Sequence, residues 1–258
     1  KRGAIEFDSP ELQFQFSAEG KVQSIQPRAR NKAHRIIEEC MLCANVCAAN
    51  LVEAQKRPGL FRVHEPPEQE KLAALEEFLQ LFGIRFKASE NVQPSDYQQV
   101  VRQLQGQKNG SVLQMALLRS MNQAVYQTEN KGHFGLGYDA YTHFTSPIRR
   151  YPDLLTHRLI KSEVYSATDE RHTLRLGRKR KTDFYPYDLA QMIELGERTS
   201  FAERRADSAV YEVLDYLKCD YISDRVGDIF SGVVTGVVWS MLVPWLVTTI
   251  IMIRALRF

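Results

Sequence analysis

Apolar residues return along the chain with two distinct periods. They alternate in Leu12-Gln-Phe-Gln-Phe16 and in Val22-Gln-Ser-Ile25, with Ala18-Glu-Gly-Lys21 between. A period of two predicts two short strands, and Gly20 predicts the turn of a hairpin. From Asn31 to Gln55 the period lengthens to that of a helix, which assigns Ile36, Ile37, Cys40, Met41 and Val46 to an inward stripe. A further helix is expected over 66–83, opened by a Pro-Pro pair and closed by a glycine. Two more follow over 95–105 and 111–126, separated by a polar loop at 106–110. After a polar stretch, 189–218 predicts a long helix with Phe201, Ala202, Ala209, Val213 and Leu217 facing inward.

The densest stretch is His143-Phe-Thr-Ser-Pro-Ile-Arg-Arg-Tyr-Pro-Asp-Leu-Leu-Thr-His-Arg-Leu-Ile-Lys161. Ser146 is a favourable N-cap and Pro147 a favourable first helical residue, so one helical turn is expected there. Pro152 opposes a smooth continuation, and a second helix is expected from Asp153 to Tyr165. Arg149 and Arg150 then lie between two helix starts. Orphan backbone N–H groups and two guanidinium forks there converge on an anion such as phosphate. Asp153 and His157 sit one turn apart on a common face. The rival reading is a plain helix start whose arginines pair with that aspartate and nearby glutamates. Upstream, Gly132-His-Phe-Gly-Leu-Gly137 lacks the lysine and the strand-to-helix setting of a phosphate loop, and its glycines suit a close backbone approach instead. Tyr138, Tyr141 and Phe144 offer flat faces, either for stacking on bases or for packing in a core.

Composition narrows the classes. With 258 residues there is room for one large domain or two small ones. The net charge of +3 is too small to mark a globally basic nucleic-acid binder, so any RNA contact must come from local patches. One such patch is the run of Arg171, Arg175, Arg178, Lys179, Arg180 and Lys181, which is either solvated or an electrostatic attractor for RNA. Cys40, Cys43 and Cys47 fall on the helical stripe without further ligands nearby, so they read as reduced core thiols rather than a metal site. The N-terminal residues lack the apolar core of a signal peptide and read as mid-domain sequence; a cytoplasmic location is expected.

The run from His143 to Leu154, followed by His157-Arg158, resembles the signature of the ribonuclease II/ribonuclease R family of 3′-to-5′ exoribonucleases and lies near its ribonuclease R branch. Arg35-Ile-Ile-Glu-Glu-Cys-Met-Leu-Cys-Ala-Asn45, Leu117-Leu-Arg-Ser-Met121, Gly132-His-Phe-Gly-Leu136 and Ala202-Glu-Arg-Arg-Ala-Asp207 resemble the same catalytic domain in the same order. The resemblance spans residues 1–236. It implies an α+β fold: the C-terminal half of an RNB-type catalytic domain over 1–222, mainly helical with an N-terminal hairpin, then a truncated S1-like strand segment over 223–258. It also implies a monomeric, processive enzyme that hydrolyses single-stranded or structured RNA to nucleoside 5′-monophosphates.

Residue roles follow from the same resemblance. Arg149 is the implied catalytic group, stabilising charge on the scissile phosphate, a task suited to a planar guanidinium. Arg150 and Arg204 would hold neighbouring phosphates or Glu203, and Glu38 and Asp153 would orient them. Glu203 and Arg204 approach the catalytic centre. Phe7 stacks on a base, with a core phenylalanine as the alternative. Tyr141 lines the RNA channel, and Arg178 adds attraction from the basic run. His143 and His157 are assigned structural roles. The Mg²⁺ of the intact family enzyme is held by aspartates of a motif upstream of anything in this chain; its ligands are absent here, and Asp215, Asp220 and Asp224 read as surface residues. The expectation is a fragment inactive alone. A non-catalytic RNA-binding module would share the basic run and the aromatics without needing the glutamates.

Val226-Gly-Asp-Ile-Phe-Ser-Gly-Val-Val-Thr-Gly236 resembles the first strand of an S1-type barrel. Beyond it the resemblance ceases, and 232–253 is an uncharged run long enough to span a bilayer. A membrane tether is one account of it. The favoured account is a disrupted reading frame, because a shifted frame can spell a later stretch of the S1 domain.

Overall fold

The computed structural model describes residues 3–5, 7, 11–28, 31–55, 57–87, 89, 91–107, 109–167, 185–229, 233–238 and 250–254. Strands β1 (Leu12–Phe16) and β2 (Val22–Pro27) come first, then α1 (Lys32–Ala54), β3 (Phe61–Val63), α2 (Gln69–Gln80), α3 (Pro94–Leu104) and α4 (Gly110–Ser120). They are followed by β4 (Val125–Gln127), a 3-10 turn (Phe134–Leu136), α5 (Tyr151–Ala167), α6 (Leu189–Ser223), β5 (Val233–Val238) and β6 (Ile250–Arg254). The strands pair two at a time, all antiparallel: β1 with β2, β3 with β4, β5 with β6. This mixture of helix and strand is the expected α+β class, and the expected hairpin precedes the helices. Gly20 turns it at a φ of +80°, and the Ser17 hydroxyl accepts from the N–H groups of Glu19 and Lys21.

Two apolar clusters hold the helices. In the first, Leu72 and Leu79 of α2, Tyr97 and Leu104 of α3, and Leu113 and Leu117 of α4 interlock, and Phe134 enters from the 3-10 turn. In the second, Ala49 and Val52 of α1, Phe61 and Val63 of β3, Tyr126 of β4, Leu155 and Leu159 of α5 and Met192 of α6 converge. Gly196 makes the α6 crossing over β4 close: a Cβ there would lie 2.7 Å from the Tyr126 carbonyl oxygen.

The structure corrects several expectations. The helix predicted over 111–126 ends at Ser120, whose hydroxyl donates to the Leu117 carbonyl and bonds the Tyr97 hydroxyl. The chain then turns to pair Val125–Gln127 with Phe61–Val63, two strands of three residues each, too short to display alternation in the sequence. Pro152 does not delay the second helix of the motif; α5 already begins at Tyr151, because the first turn of a helix needs no N–H from a proline. On α1 the inward stripe is not Ile36, Ile37 and Cys40, which are exposed, but Asn45, Ala48, Ala49 and Val52. Cys40, Cys43 and Cys47 are exposed as well, and so are not core thiols. On α6 the buried residues are Met192, Gly196 and Ser200, while Phe201, Ala202, Ala209 and Val213 are exposed. In both helices the apolar pattern runs along more than one face, and the described residues cover only one. The run 232–253 is not one helix, since 233–238 and 250–254 are paired strands. No helix among the described residues is long and apolar enough to cross a membrane.

Candidate functional site

The motif loop, 143–150, is fastened from both ends. Before it, the Thr142 hydroxyl donates to the Leu60 carbonyl at 2.6 Å, and the Arg62 N–H donates to the Tyr141 carbonyl at 2.8 Å. Asn45, buried in the middle of α1, donates from Nδ2 to the Tyr141 hydroxyl at 2.9 Å and accepts at Oδ1 from the Phe144 N–H at 3.0 Å. Both ends of one amide are thus used to set the start of the loop. After it, His157 Nε2 of α5 donates to the Phe144 carbonyl at 2.8 Å, and its ring stacks on Phe144 at 4.1 Å.

The turn itself is held by Asp153. Its Oδ1 accepts from the Ser146 N–H at 2.7 Å and from Arg150 Nη2 at 2.8 Å, with the carboxylate fully buried. Asp153 Oδ2 and Arg150 Nε are buried without a hydrogen-bond partner among the described residues. The Arg149 and Arg150 N–H groups both reach the Ser146 carbonyl. That corrects the expectation of orphan backbone donors aimed at an anion: the turn uses those two N–H groups internally. What it offers outward is the Arg149 side chain, exposed at the crown beside a fully exposed Ile148. No hydrogen bond or ion pair engages the Arg149 guanidinium among the described residues.

Behind the turn lies a second charged pair. Arg62 of β3 meets Glu203 of α6 at 2.5 Å and stacks 4.6 Å over the Tyr126 ring. The Tyr126 hydroxyl shares a 2.7 Å hydrogen bond with His143 Nδ1. Burial, with Glu203 and Asp153 assisting against Arg62 and Arg150, pushes the Tyr126 phenol up to about 12. Burial first, then the charges of Arg150, Arg62 and Arg149 and the neighbouring His133, pushes His143 down to about 2. His133 is pushed down to about 3 by burial, then by His64 and Arg62. The phenol stays protonated and the rings stay neutral near pH 7, so they are packed spacers for the charged groups, and His143 is far too weak a base to take a proton from water.

The predicted residues therefore separate. Arg149, Arg150, Asp153 and Glu203 are brought around the Tyr126–His143 pair, whose titration all four or their partners shift. The cation on Glu203 is Arg62, not Arg150 or Arg204, and the cation on Asp153 is Arg150. Arg204 is exposed on α6, and Glu38 is exposed on α1. Tyr141 is 4% exposed and stacked on Tyr138 at 5.7 Å, so it supports the loop from within and has no face for a base. Phe7 is half-buried against the first apolar cluster, as a core phenylalanine would be. Arg178 and the rest of the basic run lie outside the described residues. The close approach permitted by the Gly132–Gly137 segment is made to His64, whose Nδ1 accepts from the Gly135 N–H at 2.9 Å.

Sequence reasoning passed over Arg62, Tyr126 and Asn45. A polar Asn45 amid apolar helix positions was a readable signal; Arg62 in a three-residue strand was not. Among the described residues no group of three or more His, Cys, Asp or Glu is arranged to hold a metal ion. A groove of 570 Å³ beside Phe144, His157 and Arg158 does not include the exposed Arg149.

The family model for the RNB domain matches residues 1–166. The chain is 47% identical over 237 residues to ribonuclease R of Vibrio parahaemolyticus and 44% identical over the same length to ribonuclease R of Escherichia coli, covering 92% of this chain and 28% of each relative. Among solved structures it resembles Mycoplasma genitalium RNase R in complex with ribose methylated single-stranded RNA, with a TM-score of 0.79 at 24% identity over 92% of this chain and 36% of that one. The same enzyme in complex with double-stranded RNA gives 0.78 over 91% and 40%. At that identity the structures speak for the fold. The chain spans less than a third of the length of the two curated relatives.

Proposed function

The chain belongs to the RNB-domain family of ribonuclease R-like proteins, and from that premise we propose that it is the part of a 3′-to-5′ exoribonuclease that grips the RNA backbone and stabilises charge at the scissile phosphate. The intact enzyme would hydrolyse single-stranded RNA to nucleoside 5′-monophosphates. The catalytic domain would occupy 1–222 and an S1-like segment would follow. Arg149 carries the reading. Its guanidinium has no hydrogen-bond or ion-pair partner among the described residues and sits on a turn whose other arginine is locked to a buried aspartate, so the backbone that carries it is fixed and one donor fork is left available. Arg204 would meet a neighbouring phosphate. The divalent metal of the family has no fitting ligand cluster among the described residues.

The test joins this chain to the upstream part of the Escherichia coli relative and follows mononucleotide release from single-stranded RNA. Arg149→Lys keeps a charge but loses the fork, and should leave RNA affinity nearly unchanged while lowering kcat roughly a hundredfold. Affinity lost in proportion to rate would make Arg149 a binding contact only.

A further inference from the structure

We propose that Arg62 is a positioning residue of this site, fixing the Glu203 carboxylate at its rim through one oxygen and leaving the other to meet substrate. The inference rests on the function proposed above. Arg62 is the middle residue of β3 and stands where three segments meet. Its N–H donates to the Tyr141 carbonyl, two residues before the motif loop. Its guanidinium binds Glu203 Oε2 of α6 at 2.5 Å. The same guanidinium lies 4.6 Å over Tyr126 of β4, whose hydroxyl bonds His143, the first residue of the loop that presents Arg149.

The pair is asymmetric in a way that a structural clamp does not require. The Arg62 side chain is 14% exposed and that of Glu203 30%. Glu203 Oε1 makes no hydrogen bond among the described residues, and the side chain that carries it is 30% exposed. A clamp would engage both oxygens in a bidentate fork. Nor does α6 depend on this pair to stay in place: Gly196 already seats it on the Tyr126 carbonyl, and Ser200 Oγ accepts from the Tyr126 N–H at 2.9 Å. The ring beneath Arg62 restrains the guanidinium, and the guanidinium restrains the carboxylate. A carboxylate only accepts hydrogen bonds, so its second oxygen suits the hydroxyl donors of a ribose, while phosphates fall to the arginines.

The test uses the joined protein described above. Arg62→Met should lower kcat on the order of tenfold with KM for RNA changed less than about twofold. That loss should vanish when Glu203 is already Gln, because a misplaced group that is absent cannot be misplaced. Arg62→Lys, which keeps the charge without the stacked fork, should fall between. An equal loss from Arg62→Met in the wild-type and Glu203→Gln backgrounds overturns the proposal, as does a loss expressed in KM alone. Arg149→Lys keeps the two ideas apart. A wild-type rate in that variant defeats the functional reading, whereas a slow Arg149→Lys with Arg62 and Glu203 uncoupled defeats only this inference.

Discussion

Asn45 shows how a single neutral side chain can set charged ones. Its amide bonds the Tyr141 hydroxyl and the Phe144 N–H, so the motif loop starts from a fixed point and Arg149 inherits that position. The histidines nearby contribute by staying neutral. His133 and His143 have pKa values pushed down to about 3 and about 2, against 6.5 for a free ring. Below pH 6.5 the unfolded chain binds protons that the folded chain refuses, so stability is full above that pH and falls as pH drops toward the folded values. Each ring should remove about 1.4 kcal/mol per pH unit across the window. Urea unfolding at pH 7 and pH 5 measures this, and the midpoint should be lower at pH 5. A midpoint that held or rose would show that these rings are not buried as neutral groups.

Helices α1 and α6 are apolar on more than one face, and the described residues cover one. Around α1, Asn45, Ala48, Ala49 and Val52 point into the second cluster, while Ile36, Cys40, Cys43 and Cys47 recur at helical spacing on the opposite side. Ile36 and Ile37 remain 63% and 59% exposed, giving up most of the roughly 2 kcal/mol that burial of each would contribute. On α6, Ala202, Ala206, Ala209 and Val213 form a similar uncovered stripe beyond Ser200. Thiol chemistry reads this arrangement directly. Cys40, Cys43, Cys47 and Cys219 should all react with an aromatic disulfide reagent in the native chain, at rates close to those in urea. Thiols silent until denaturant is added would mean that the α1 face is covered.

At the scale of the molecule, one apolar cluster joins α2, α3 and α4, and a second joins α1, β3, β4, α5 and α6 beneath the arginine turn. The second cluster supports an electrostatic arrangement, Arg149 outward and Arg62–Glu203 and Arg150–Asp153 behind it, without a metal-ligand group among the described residues. Phosphodiester hydrolysis on the proposed mechanism needs a nucleophile that these groups do not generate. Purified chain incubated with single-stranded RNA and Mg²⁺ should therefore release no mononucleotides above a protein-free control, although it should still bind the RNA. Release above that control would show that the chain carries a complete site.

Local signals were enough for the hairpin, for the existence of most helices, and for the motif that marks the family. Gly20 and the run from His143 to Asp153 act over a few residues, so their meaning is written in neighbouring letters. Which face of α1 turns inward was not legible, because both faces satisfy the same period and only the position of β3 and α5 chooses between them. The three-residue strands were invisible for a related reason: Phe61–Val63 becomes a strand only when Val125–Gln127 arrives to pair with it. The ion partners followed the same rule. Arg150 and Asp153 are three residues apart, and the sequence allowed their pairing; Arg62 and Glu203 are 141 residues apart, and only the packing of α6 across β4 brings them together. Short-range hydrogen bonding and periodicity decide elements, whereas long-range burial decides which charges meet.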